Sequence, residues 1–274
     1  MKKLAIILFI VSLSSALHTH KILGKTPPVL DYHIEMVPWD EVEERLPRKS
    51  TFMVIDVESG KRFAVQRRAG SSHADVQPLT HKDTKIMKEI YGGSWSWKRR
   101  AVLVYSDTFL IAGSMHGMPH GAGALQNGFP GHFCIHFKGS TTHKTHSPDL
   151  SHHLMVLKAG GELDSFLNEL QPKPKVDAFL AGIKNSDLSL VRKTITTQKA
   201  SLKNLEKIEA IRWQSKTNTC KETQSFATEV NADLQLFLKD SGPLNTQITF
   251  TVVKTSPTAP WRVDGTPLLK LLNQ

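Results

Sequence analysis

Cysteine is nearly absent from this chain, with Cys134 and Cys220 the only two. Two thiols cannot make a disulfide-stapled scaffold. No Cys-x-x-Cys pair and no His-Glu-x-x-His stretch occurs either, so the recurrent zinc signatures are missing. Aromatic residues make up only 7%. The basic cluster Lys98-Arg99-Arg100 does not alternate with aromatics as a nucleic-acid-binding surface would, which speaks against nucleic acid as a partner. Beyond residue 13 no apolar run is long enough to cross a bilayer, so no stable membrane insertion is expected. Acidic residues are also short, 25 against 35 lysines and arginines, and the formal charge is +10.

The beginning of the chain explains where that charge would act. Met1-Lys2-Lys3 is a positive start, Leu4 to Leu13 is apolar, and Ser14-Ser15-Ala16 offers the small residues a signal peptidase reads. Residues 1–16 therefore read as a secretory signal peptide and the protein as secreted or wall-associated. The remaining 258 or so residues, 17–274, suffice for two domains or one large one. An exported cation of this size is drawn to anionic polymers such as a bacterial wall.

Local patterns divide the rest. Residues 17–47 form a lead-in with a short helix from Trp39 to about Leu46, stopped by Pro47. Thr51–Val57 and Arg62–Arg67 alternate around a Glu58-Ser-Gly-Lys61 turn and predict a β-hairpin. Thr80 with Asp83 makes a capping box for a helix to Ile90, ended by Gly92-Gly93. Ala101–Tyr105 and Phe109–Ala112 predict a second hairpin, and Ser147-Pro148-Asp149 opens a helix that runs to Lys158. Residues 48–170 thus read as a mainly β, sandwich-like domain with flanking helices. Pro172-Lys-Pro-Lys175 reads as a stiff linker over 171–175. In 176–274, short helices at Val176–Ile183 and Asp187–Thr194 come first. A longer helix from Ser201 to Trp213 carries Leu202, Leu205, Ile208 and Ile211 on one stripe. Alternating runs at Ala227–Leu238 and Ile248–Val253 and a last strand near Trp261–Asp264 complete an α+β domain.

Chemistry concentrates between Ser114 and His143. This stretch holds five of the thirteen histidines, Cys134, and many glycines. Glycine and histidine build poor core strands, so the composition suits a backbone bent around placed side chains. A thiol near imidazoles is a candidate nucleophile, because an imidazole can take its proton. His132 and His136 flank Cys134 at two residues either side and would share its face on a strand. His116 and His120, each followed by glycine, must be delivered by folding. An inert buried thiol is the plain alternative.

His116-Gly117, with fourteen residues between His116 and Gly131, and Gly131-His132-Phe133-Cys134-Ile135-His136 together resemble the L,D-transpeptidase (YkuD-like) catalytic domain. Gly131, Phe133 and His136 stand where that family commonly has Ser or Thr, Gly, and Arg, so the resemblance is to a divergent branch. It implies Cys134 as the acyl-accepting nucleophile, His116 as its base, the Gly117 carbonyl as the group orienting that ring, and His132 lining the site. His120, with only ten residues between it and Gly131, is the second choice of base. Peptidoglycan stem peptides or another anionic wall polymer would be the substrate, with no cofactor. Trp95 and Trp97 could floor a groove or cap the core, with His120, His136, Ser140 and His143 beside it. The last hundred residues loosely resemble the NTF2-like superfamily, which implies a cone-shaped binding or spacing module.

Two other readings remain. His73, Asp75, His132 and His136 could hold zinc in a peptidoglycan hydrolase, since zinc takes His, carboxylate and Cys ligands. Alternatively the protein binds the envelope without catalysis. Oligomeric state is not legible from the sequence.

Overall fold

A computed structural model describes residues 33–106, 109–142, 147–196, 202–217, 226–239 and 241–273. The expected signal peptide, His143 and Cys220 lie outside these residues.

The first half is a closed six-stranded antiparallel barrel rather than a sandwich. Its strands are β1 (Thr51–Asp56), β2 (Arg62–Ala69), β3 (Ala74–Pro78), β4 (Arg99–Ser106), β5 (Phe109–His116) and β6 (Phe133–His136), closed in the order β1-β2-β3-β6-β5-β4. Closure leaves no open sheet edge in this barrel. The two expected hairpins are present, β1 with β2 and β4 with β5. Strand β3 was not anticipated. All five of its residues are buried, so it shows none of the alternation by which a half-exposed strand is read.

The barrel interior is filled by Val54, Phe63, Val65, Val76, Val104, Ile111, Met115, Phe133 and Ile135. Two short helices close it: α1 (Trp39–Arg45), and α2 (His81–Ile90) with its capping box between Thr80 and Asp83. Helix α3 (Leu150–Gly160), N-capped by Asp149 and ended by Gly161 in the left-handed region, lies on the outside of β4 and β5. Ala101 and Ala112 meet Leu154, Met155 and Ala159 there, in a separate apolar layer.

Helices α4 (Leu163–Glu169), α5 (Pro172–Lys184) and α6 (Leu188–Thr194) follow. The expected linker is instead the first turn of α5. Proline is tolerated there because the first amides of a helix have no partner to lose, and Lys175 is already fully buried. Strands β7 (Ile208–Thr217), β8 (Ala227–Leu238), β9 (Gly242–Val253) and β10 (Arg262–Val263) make an antiparallel sheet ordered β10-β9-β8-β7, closed off by α7 (Thr266–Leu271). Helix α5 packs on this sheet through Val176, Phe179, Leu180 and Ile183. The long helix expected from Ser201 to Trp213 is a turn of 3-10 helix, Lys203–Lys207, followed by β7. Its three-residue spacing of Ile208 and Ile211 comes from a bulge between Ile208 and Ala210, which brings both onto the buried face.

Candidate active site on the outer face of the barrel

Alternation along the strands sorts this region. Ala74, Val76, Met115, Phe133 and Ile135 join the barrel core, so Asp75, Ser114, His116, Cys134 and His136 face outward. In register, Asp75 stands opposite Cys134 and Ser114 opposite His136, while His116 on β5 pairs with Arg99 on β4. Asp75, Ser114, His116, Cys134 and His136 are all buried. The expectation that His132, Cys134 and His136 share one face agrees with this register.

The loop between β5 and β6 folds back over the group. His120 and His132 form a two-way backbone bridge, N–H to carbonyl in both directions, at 2.9 and 2.8 Å. Gly131 makes it possible. Its φ is +128°, and a Cβ there would lie 2.5 Å from the His120 carbonyl oxygen. Gln77 ties the loop down, its side-chain oxygen accepting from the amides of Ala124 and Leu125. Asn127 binds the Pro78 carbonyl and accepts from the Phe129 amide.

Within this frame the Cys134 sulfur is 3.3 Å from His120 Nε2 and 3.5 Å from Asp75 Oδ1. The same carboxylate oxygen is 3.3 Å from His73 Nε2 and 3.8 Å from His132 Nε2. Backbone groups settle which ring nitrogen carries hydrogen. A carbonyl can only accept, so Nδ1–H of His73 donates to Thr141 (2.7 Å), that of His120 to Met118 (3.2 Å) and that of His132 to Ala122 (3.0 Å). In the neutral rings Nε2 then presents a lone pair. His116 has the opposite tautomer: its Nδ1 accepts from the Met118 amide at 3.3 Å, which places its hydrogen on Nε2.

That difference separates the two candidate bases by geometry. His116 lies within the cluster, a ring nitrogen no more than 4.8 Å from the sulfur, but its accepting nitrogen is engaged by the backbone. His120 has both the reach and an accepting nitrogen turned toward the sulfur. The carbonyl beside the His120 ring is that of Met118, while the Gly117 amide binds the Ser96 carbonyl.

Further in, the rings of His73 and His136 stack at 4.4 Å and those of His136 and His152 at 3.7 Å. His152 Nδ1 meets the Ser114 hydroxyl at 2.8 Å. Burial first, then neighbouring rings and Arg99, hold His116 and His152 well below the usual imidazole range. Both are therefore neutral at pH 7. Burial, reinforced by the Asp75 carboxylate, pushes the Cys134 thiol far above its usual range, so the resting group is a thiol. Among the described residues Cys134 is in no disulfide.

Of the expected groove residues, Trp97 is half exposed and lies over His116 and His120, at 4.7 and 5.6 Å between ring centroids. Trp95 packs edge-on to Phe129 and takes Lys88 over its face, so it caps the barrel core. Ser140 accepts from the Phe137 amide within a turn, and His136 is interior, so neither lines a groove. The sequence did not point to His152, to the Met118 backbone, or to Asp75 as the partner of the thiol. For Asp75 the clue was present in His73-Ala-Asp75, whose alternate residues share a strand face.

The fold and site define a β-barrel protein that carries a thiol, a carboxylate and a shell of imidazoles under a glycine-rich loop. Comparison with family models, curated proteins and solved structures finds no match to this chain.

Proposed function

We propose that this protein is an exported enzyme that transfers acyl groups of peptidoglycan stem peptides through Cys134, in the manner of the L,D-transpeptidases its central motif resembles. One observation carries the reading. The sulfur lies 3.3 Å from His120 Nε2, and the other nitrogen of that ring is held by a backbone carbonyl at 3.2 Å. A nucleophile, a base and an orienter in series are what acyl transfer needs.

As the sulfur attacks a peptide carbonyl carbon, His120 Nε2 takes the thiol proton. The tetrahedral adduct collapses with cleavage of the C–N bond, and His120 returns the proton to the departing amine. An incoming amine or water then attacks the thioester and hands a proton back through His120 to the sulfur. The thiol loses its proton only as the bond forms, which accords with its protonated resting state. Substrate would approach past Trp97 and His132. The export signal and a formal charge of +10 favour an anionic wall. The C-terminal sheet with α5 packed on it is the part we read as an NTF2-like cone, a binding or spacing module.

The test is turnover of defined muropeptides by the full chain and by Cys134→Ala and Cys134→Ser. Loss of activity in both, with a thioester adduct visible by mass spectrometry in the unaltered protein, supports the reading. Undiminished activity in both variants rejects it.

A further inference from the structure

Helix α5 covers one face of the C-terminal sheet, where Ile211, Leu234, Leu236, Ile248 and Phe250 join the core. Alternate residues therefore face away from it. The ladder aligns them in rows that cross β7, β8 and β9. One row is Arg212, Gln235 and Asn245, and the next is Gln214, Asp233 and Gln247. These six residues line a single open hollow of about 570 Å³. Arg212, Gln214, Asn245 and Gln247 are exposed there, and Asp233 and Gln235 half buried. A solvated outer face is ordinary in an antiparallel sheet, but this composition is not. Strands favour β-branched and aromatic residues and are poor in asparagine, whereas four of these six side chains are carboxamides.

Charge narrows what the hollow can recognise. The chain carries +10, yet the hollow has one charged side chain of each sign, Arg212 and Asp233. It is therefore close to neutral and does not select a polyanion. Asp233 is moreover engaged within the sheet, accepting from Gln247 Nε2 at 2.6 Å. A carboxamide sets an acceptor and a donor side by side. That pair matches two neighbouring hydroxyls of a sugar ring, one donating and the other accepting. A second observation points the same way. Ala210, Phe237 and Pro243 form the next row, about 7 Å further along the strands, and all three are exposed. Sugar rings have an apolar C–H face and a hydroxyl rim, so an apolar row beside a carboxamide row suits both. An extended peptide is held by main-chain bonds at a sheet edge or by apolar pockets for its side chains, and the hollow offers neither.

We propose that this face of the C-terminal sheet is a binding site for an uncharged polysaccharide. The carboxamides of Gln214, Gln235 and Asn245 bond its hydroxyls, and Phe237 and Pro243 lie under its ring faces. The site shares no residue with the Cys134 cluster, so it stands or falls separately from the acyl-transfer reading. It gives the C-terminal region the role of holding the protein on a glycan chain.

The test titrates two uncharged hexasaccharides, cellohexaose and the hexamer of N-acetylglucosamine, into the full chain carrying Cys134→Ser, by calorimetry. That substitution keeps thiol chemistry out of the result. At least one sugar should bind with Kd of about 1 mM or tighter. The affinity should hold between about 0.05 and 0.5 M salt, because no charge pairing is lost to screening. Gln235→Ala and Phe237→Ala should each weaken binding about tenfold, the loss of one bonded carboxamide or one stacked ring. Thr251→Ala, on the same face outside the hollow, should not. Melts without sugar show whether each variant is folded, and Gln214→Ala, at an exposed position, repeats the test if Gln235→Ala melts early. Failure of both sugars to bind at about 10 mM overturns the proposal. So does binding that survives the Gln235, Gln214 and Phe237 substitutions. Binding of polyglycerol phosphate or a stem pentapeptide that these substitutions abolish, with no sugar bound, would assign the face to another class of ligand and overturn it equally.

Discussion

Asp75 and Cys134 face each other directly across the β3–β6 ladder, with the sulfur 3.5 Å from the carboxylate oxygen. A buried thiol beside an anion holds its proton, because ionising it would place two negative charges together away from water. The first prediction follows. Iodoacetamide modifies Cys134 at pH 7 at least about tenfold more slowly than free cysteine, since only thiolate reacts. The rate climbs with pH as the thiolate fraction grows. Asp75→Asn removes the neighbouring charge and speeds labelling at any fixed pH. Peptide mass mapping, which separates Cys134 from Cys220, reads the result. Rapid modification at pH 7 that hardly changes with pH would contradict the assignment.

The choice between two glycine-paired histidines gives the second. General-base catalysis contributes about 10²–10⁴-fold, so His120→Ala should lower kcat on a muropeptide by that order. His116→Ala should cost less than about tenfold, through loss of packing beneath Trp97 rather than loss of a proton acceptor. Initial rates over a substrate series separate kcat from KM. If His116→Ala proves the more damaging, the tautomers are reversed and His116 is the base.

Gly131 provides the third. Alanine would have to adopt φ +128° with its Cβ 2.5 Å from the His120 carbonyl oxygen. Gly139 has φ +76° with nothing within 4 Å of the place a Cβ would take, so it supplies the control. Gly139→Ala should cost about 1 kcal/mol, the left-handed penalty alone. Gly131→Ala should cost more, about 2–3 kcal/mol of strain, and should also cut activity by displacing His120. Urea denaturation with parallel assays checks both. Equal costs with equal activities would show that the bridge between His120 and His132 does not position the base.

Much of the scaffold was legible because local signals agree with the fold. The Thr80–Asp83 capping box, the Asp149 cap with Gly161 after it, and the alternation of β1 and β2 each state one structure without outside help. The errors came where tertiary context overrides the pattern. A bulge gave β7 a helical spacing, burial on both sides hid β3, and a proline pair read as linker proved to be a helix start. The site divides in the same way. That Cys134, His132 and His136 lie on one face follows from strand geometry. Which distant imidazole reaches the sulfur depends on how Gly131 bends the loop and on which ring nitrogens the Met118 amide and carbonyl engage. Those are pairings between residues and backbone far from Cys134 in sequence, and residue spacing carries no record of them.

Lys175 supports a last prediction, away from the site. It sits fully buried in the first turn of α5, where its ammonium donates to the Leu167 carbonyl at the end of α4. Burial, with Arg262 nearby, lowers its pKa to about 8, against 10.5 for a free lysine. Between those values the unfolded chain binds the proton more tightly than the folded one, so this group makes stability rise with pH from about 8 to 10.5. Below that window the folded protein carries a penalty for a buried cation. Lys175→Met keeps the apolar stem and removes the charge, and the Leu167 carbonyl still accepts from the Leu170 amide. The variant should therefore be more stable at pH 7, with Tm higher by about 2–4 °C for each kcal/mol recovered. Its advantage should shrink toward pH 10.5, where the native lysine is neutral in both states for part of the population. Lys173→Met, at a half-buried position in the same turn where the ammonium pairs with Asp177, should show no such pH-dependent difference. Thermal melts of the three proteins at about pH 7 and pH 10, on either side of most of that window, decide the matter. A lower Tm for Lys175→Met at both would mean that the bond to Leu167 outweighs the cost of the buried charge.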